Sequence, residues 1–301
     1  MAKEKKINKA DILEKLKYFQ EPNFKFFPDN HTYTLDGKFL TSATGYIDRF
    51  VKKFDEEFWS KKKAADAGVE QSVILEMWAA KRDRACDVGT MTHDYIEEFY
   101  ELGKKNYPKD DEALKRIDKF HKIHESKLSK LESLGSEIRL FSRRWPICGT
   151  LDKLFLYEDE IMVGDWKTNE KIKTDKDHCF NYLQGPFSKW KENELNKYSI
   201  QISIYQLLLE EAGIFSNYGF VCHLPTGDAE PKIYKLHNFK EELRAHLDSE
   251  LYLTGDSNAT EKSIDDVLFG DDDNNDANFK KMIKSGLKPT EDKGPNKTKM
   301  W

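Results

Sequence analysis

Gly149-Thr150-Leu151-Asp152-Lys153-Leu154-Phe155-Leu156-Tyr157, a turn at Glu158-Asp159-Glu160, and Ile161-Met162-Val163-Gly164-Asp165-Trp166-Lys167-Thr168 form the stretch that decides the fold. Apolar residues alternate with polar ones on both sides of the turn. This is the pattern of a β-hairpin, because successive strand side chains point to opposite faces. Two acids and a lysine interrupt it. Asp165 and Lys167 are two apart and share a face, while Trp166 points the other way, into a core. Asp152, on the preceding strand, lies beside them if the two strands pair in ordinary register. Two carboxylates and one ammonium would then converge. Crowded carboxylates repel one another, and hard oxygen ligands of this kind are what Mg²⁺ or Mn²⁺ needs. A lysine next to such a centre can steer or deprotonate a water, or stabilise charge building on a phosphoryl oxygen. The chemistry suggested is metal-assisted phosphodiester hydrolysis. A bare D-x-K more often marks a surface ion pair, but the longer G-x-x-D, apolar strand, D-W-K-T pattern is much rarer.

Gly149-Thr150-Leu151-Asp152 followed by Asp165-Trp166-Lys167-Thr168 resembles the core signature of the PD-(D/E)XK nuclease superfamily, in its RecB-type exonuclease branch. The run from Asp165 to Lys171 (Asp-Trp-Lys-Thr-Asn-Glu-Lys) is especially similar to the mitochondrial genome maintenance exonuclease and its phage-encoded relatives. Other features of that branch can be sought along the chain. Gly89-Thr90-Met91-Thr92-His93-Asp94-Tyr95-Ile96-Glu97 resembles its G-x-x-x-H-x-x-x-E helix, in which the histidine approaches the metal site; His93 and Glu97 share one helical face. Glu137 fits the acidic residue that relatives place on the strand before the G-x-x-D strand, although it also reads as a charge opening an edge strand. Gln201 and Tyr205 resemble the Q-x-x-x-Y motif, and an amide and a phenol on one face can hydrogen-bond a phosphate or the lysine.

The resemblance implies that Asp152, Asp165 and the carbonyl of Trp166, with Glu137 and His93, hold one or two Mg²⁺ or Mn²⁺ ions, and that Lys167 orients or activates water. It implies an α/β fold with a central mixed β-sheet flanked by helices, a restriction-endonuclease-like core. The implied activity is that of a metal-dependent DNA exonuclease acting on single-stranded DNA ends in phage-type replication, recombination or repair. DNA is the expected partner; the sequence is silent on whether a replication or recombination protein is another. A structure-specific endonuclease uses the same core, and a non-catalytic DNA-binding or inhibitor protein could retain the fold. Some members of the branch carry an iron–sulfur cluster, whose cysteine cluster near the chain end is missing here, so no cluster is expected.

Composition sets the bounds. Three hundred and one residues, 38% hydrophobic and 13% aromatic, can bury a real core. No apolar run approaches the roughly 20 residues of a membrane span, and the Lys-rich start lacks the apolar segment of a signal peptide. No membrane partner is expected, and the cytosol, bacterial or phage-infected, is the expected compartment. The four cysteines are far apart and form no C-x-x-C pair, which argues against a zinc site or a disulfide scaffold. A formal charge of −5 does not advertise a nucleic-acid binder, but a total of this kind can hide a local basic groove.

Three regions are expected. Residues 1–82 form an N-terminal extension and substrate channel: a charged helix over 1–20, a hairpin over 24–40 turning at Asp36-Gly37, and a helix over 45–82. Lys52-Lys53, Lys61-Lys62-Lys63 and Lys81-Arg82 on that last helix suit either a phosphate-binding groove or a solvated face. Phe50, Phe54, Phe58, Trp59 and Trp78 could stack on bases, but most are assigned to the core. Residues 83–253 form the nuclease core. It comprises the helix carrying His93, one or two amphipathic helices within 104–134, strands at 137–141, 149–157, 161–168, 218–224 and 232–236, and helices over 194–212 and 239–253. Arg143-Arg144 reads either as a basic pair beside a phosphate or as an exposed turn. Residues 254–301 change to an acidic and then a basic composition and read as a partly mobile tail.

Overall fold

The computed structural model describes residues 7–28 and 30–253. The chain divides into a compact unit, Met1–Asp248, and a second unit, Ser249–Trp301. The expected tail of 254–301 lies outside the described residues.

The Asp36-Gly37 turn forms as expected. Both residues take positive φ (52° and 80°), as a two-residue hairpin turn requires. It joins strand β2 (Thr32–Leu35) to β3 (Lys38–Ser42), with β1 (Phe24–Phe27) antiparallel to β2. The deciding hairpin is β5 (Ile147–Tyr157) and β6 (Glu160–Lys167), antiparallel and closed by Tyr157↔Glu160. Ahead of it runs β4 (Glu132–Phe141), longer than expected and irregular between Ser133 and Gly135. Strands β7 (Ser216–His223) and β8 (Lys232–Lys235) complete a mixed sheet of eight strands among the described residues, ordered β1-β2-β3-β5-β6-β7-β8 with β4 also on β5.

Helices flank this sheet, so the architecture is α/β. The expected helix over 1–20 is α1 (Lys9–Leu16) plus a tight turn through Phe19. The expected helix over 45–82 is broken into α2 (Ala43–Ile47), α3 (Glu56–Ala67) and the start of α4 (Gln71–Leu102). Local chemistry explains the breaks. Ser42 and Asp55 side chains cap the amides of Gly45 and Phe58, and Gly68 ends α3 at φ 67°, where a side chain would be strained. Helix α5 (Asp111–Ile123) runs on into a π-helical turn, His124–Leu128; α6 (Glu194–Glu211) and α7 (Lys240–Leu253) follow.

One face of the sheet is covered by α4 and α5. There Tyr95, Ile96, Ile117 and Phe120 pack with Phe155, Trp166, Phe220 and Cys222. Trp166 is buried between Tyr100 and Phe120, so it points into a core as its place in the pattern implies. Helix α6 covers the opposite face. It approaches closely enough that a Cβ on Gly219 would lie 2.5 Å from Ile202 Cγ2. No helix among the described residues is long and apolar enough to cross a membrane.

The registers around β5 position the site. Its Cys148 pairs with both Phe141 of β4 and Ser42 of β3, and its Lys153 with both Ser136 of β4 and Gly164 of β6. Strands β3 and β6 therefore share one edge of β5, at its opposite ends. Between them, Gly149 to Asp152 have no strand partner on that edge. Past Gly164, β6 leaves β5 and pairs through Asp165, Trp166 and Lys167 with β7 alone.

Candidate metal centre

The gap along β5 is lined with chemistry. Asp152 turns its carboxylate across the fork, and its Oδ2 accepts a hydrogen bond from the Trp166 amide at 2.9 Å. His93, on α4, reaches the same residue: its Nε2 lies 3.1 Å from the Trp166 carbonyl. A carbonyl only accepts, so Nε2 carries the proton and Nδ1 keeps its lone pair, 3.5 Å from Asp152 Oδ2. Burial holds the His93 imidazole below its ordinary range, and hence neutral at pH 7, against the pull of the Asp165 carboxylate. Two side chains thus stand in for the β5 backbone that this stretch of β6 lacks.

Glu137 joins them from β4. The register places it opposite Asp152, between Ser136↔Lys153 and Ile138↔Leu151, and cross-strand neighbours share a face. One donor atom each from His93, Glu137 and Asp152 lie within 4.8 Å of one another. Glu137 stands at φ 47° in mid-strand, a left-handed conformation that costs a non-glycine residue roughly 1–2 kcal/mol. Its carboxyl is pushed up to about 8, first by burial and then by the charges of Asp152 and Glu97. Strain and charge crowding therefore coincide at one residue, as they do where backbone geometry serves a site.

Asp165 and Lys167 lie deeper, 0% and 3% exposed. The Lys167 ammonium is 2.8 Å from Asp165 Oδ1. At that distance the two form a buried ion pair. Burial and the charge of Asp152 push the Asp165 carboxyl up to about 7. Burial alone would lower Lys167, but Asp165 and Asp152 together outweigh it and hold the ammonium above the usual lysine range.

No model of a known protein family matches the chain, and no curated protein does either. The site therefore rests on its own geometry. Its donor set, two carboxylates and a neutral imidazole with a third carboxylate buried against them, is rich in hard oxygen and suits Mg²⁺ or Mn²⁺. Of the expected ligands, His93, Glu137 and Asp152 come together. Asp165 sits behind them, paired with Lys167, and the Trp166 carbonyl accepts from His93. Glu97, one turn beyond His93, stands outside the three-residue group, though close enough for its charge to act on Glu137.

Gln201 and Tyr205 face each other on α6, the amide donating to the phenol oxygen at 2.9 Å. The Tyr205 ring lies against the Gly149 backbone, and a Cβ there would come 2.6 Å from its Cε1. This explains the glycine of G-x-x-D. Gly149→Ala is expected to cost about 1–3 kcal/mol through overpacking and to pull Tyr205 away from Gln201. An unchanged urea midpoint would show that the ring yields freely.

Several supporting residues escaped the sequence reading. The Tyr198 ring lies 4.8 Å from the Lys167 ammonium. Its place three residues before Gln201, on the same helical face, was the available signal. Arg116 of α5 donates to the Thr168 carbonyl at 2.9 Å, and His223 Nε2 lies 2.7 Å from the Asn169 carbonyl. Together they fix the end of β6. Gly89, already singled out as the glycine of G-x-x-x-H, faces the same stretch: a Cβ there would sit 3.3 Å from Thr168 Oγ1.

The assignment of most of the five N-terminal aromatics to the core is corrected. Phe50 is buried, whereas Phe54, Phe58 and Trp59 are exposed on or beside α3, because that helix buries only Ser60 and Ala64. Lys52, Lys53 and Lys61–Lys63 are exposed too. Arg143 and Arg144 pair with acids, at 2.6 Å to Glu21 and 2.9 Å to Asp248.

Proposed function

We propose that the chain is a divalent-metal-dependent nuclease of the PD-(D/E)XK superfamily, in the RecB-type exonuclease branch, acting on single-stranded DNA ends. The observation that carries this reading is the convergence of His93, Glu137 and Asp152 donors within 4.8 Å, beside the buried Asp165–Lys167 pair. The sheet bearing these groups is then the restriction-endonuclease-like core. Asp152 and Glu137 offer carboxylate oxygens and His93 its unprotonated Nδ1, with Asp165 completing the anionic wall. When bound, Mg²⁺ or Mn²⁺ supplies Lewis-acid polarisation of a phosphoryl oxygen and offsets the charge that builds on it. Lys167, held by Asp165 and backed by Tyr198, orients the attacking water and presents a positive charge to the phosphoryl group. His93 and Asp152 hold the Trp166 peptide groups in place, and so hold Lys167, the next residue.

The test is an assay of the purified chain on end-labelled linear, circular and duplex DNA with Mg²⁺ or Mn²⁺. Linear single strands are expected to be shortened only in the presence of metal, with EDTA stopping the reaction and circular single strands left intact. Cutting of circles would instead assign a structure-specific endonuclease. Metal binding without cleavage of any substrate would assign a non-catalytic DNA-binding or inhibitor protein.

A further inference from the structure

Lys153 is a buried charge that the reading above does not use. Its neighbour Asp152 points into the site, so Lys153, one residue on, points to the opposite face of the sheet. There it is 0% exposed. All three ammonium donors find partners: Ser133 Oγ at 2.6 Å, Ser136 Oγ at 2.6 Å and Glu101 Oε1 at 3.3 Å. Ser136 also donates to Glu101 Oε1 at 2.7 Å, and the ammonium lies 4.1 Å from the centroid of the Tyr100 ring. The Glu101 side chain is 41% exposed, so the ammonium is buried largely against the two hydroxyls and the ring.

What its contacts share is the metal site. Glu101 and Tyr100 belong to α4, which carries His93; Ser133 and Ser136 belong to β4, which carries Glu137; Lys153 itself adjoins Asp152 on β5. The two serines flank the irregularity of β4, and Ser136 immediately precedes the residue held at φ 47°. We infer that Lys153 is a positioning residue: by tying α4 and β4 to β5 from beneath, it fixes Glu137, and with it the three-donor group, in the geometry that receives a divalent cation. This inference rests on the reading of His93, Glu137 and Asp152 as a cation site.

The test is Mn²⁺ binding to the full chain, followed by the spin-resonance signal of free Mn²⁺ and requiring no nuclease assay. Residues that orient metal ligands are typically worth 10–100-fold in affinity, so Lys153→Met is expected to weaken Mn²⁺ binding about 10-fold. Ser136→Ala, which leaves the ammonium two partners, is expected to weaken it about 3-fold and covers the case in which Lys153→Met does not fold. In a Glu137→Ala background the effect of Lys153→Met is expected to fall below about 2-fold, because its route to the metal is gone. Wild-type affinity in both single variants, or the same loss with and without Glu137, would overturn the inference. A wild-type chain that binds no Mn²⁺ would overturn the cation-site reading and this inference together. Wild-type binding that is unmoved by the variants would overturn the inference alone.

Discussion

Asp152→Asn is expected to abolish cleavage and, in the absence of metal, to raise the melting temperature at neutral pH. The asparagine oxygen can still accept from the Trp166 amide, so the fork between β5 and β6 stays closed. What is lost is a charge. Metal affinity should fall by at least about 100-fold, since even residues that only orient ligands cost 10–100-fold. The stability change has the opposite sign. Burial raises the Asp152 carboxyl, and Asp165 is raised in part by the charge of Asp152. A carboxyl raised in the folded state contributes stability at low pH that is lost as pH rises through its folded value. Removing it should therefore help at pH 7–8 and do little near pH 4. Calorimetry in EDTA at both pH values, alongside the cleavage assay, reads both effects. A lower melting temperature at pH 8 would mean that the carboxylates do not strain the metal-free site.

Lys167→Met is expected to separate binding from chemistry. Cleavage should drop roughly 10²–10⁴-fold, the range for a positioned proton-transfer group, while Mn²⁺ affinity falls far less, because His93, Glu137 and Asp152 are themselves unchanged. Breaking a buried ion pair by removing one partner costs roughly 3–5 kcal/mol. Here protonation softens the loss, because the Asp165 carboxyl already stands at about 7 and rises further without its ammonium. The sign follows: the variant holds neutral Asp165 below that value and must ionise it or stay protonated above. Its destabilisation relative to wild type should thus be small at pH 5.5 and large at pH 8.5. An equal drop in denaturation midpoint from wild type at the two pH values would remove Lys167 from its place beside Asp165.

The sequence made the deciding hairpin and the Asp36-Gly37 turn legible because both are local: alternation and turn chemistry lie within a few residues. It also put Asp165 and Lys167 on one face with Trp166 on the other, from the two-residue strand period alone. The fork was not legible. Whether β6 follows β5 as far as Asp152 depends on β3 arriving in parallel at Ile147 and on β7 taking the far edge of β6, pairings that join segments far apart in the chain. Lys153 was hidden for a different reason. A lysine inside a strand reads as solvent-facing, and only the meeting of α4, β4 and β5 supplies the partners that let it be buried. Phe54, Phe58 and Trp59 mislead in the reverse direction: their hydrophobicity says nothing about whether α3 has a neighbour on that side.

The backbone at Glu137 gives selection two opposed directions. At φ 47° the residues that relieve the chain are glycine, asparagine and aspartate, and of these only aspartate keeps an anionic oxygen, on a shorter side chain. Drift to glycine or asparagine at this position is therefore also drift toward a weaker site. A variant found to be hardier through a change at residue 137 should accordingly be screened first for whether it still takes up Mn²⁺.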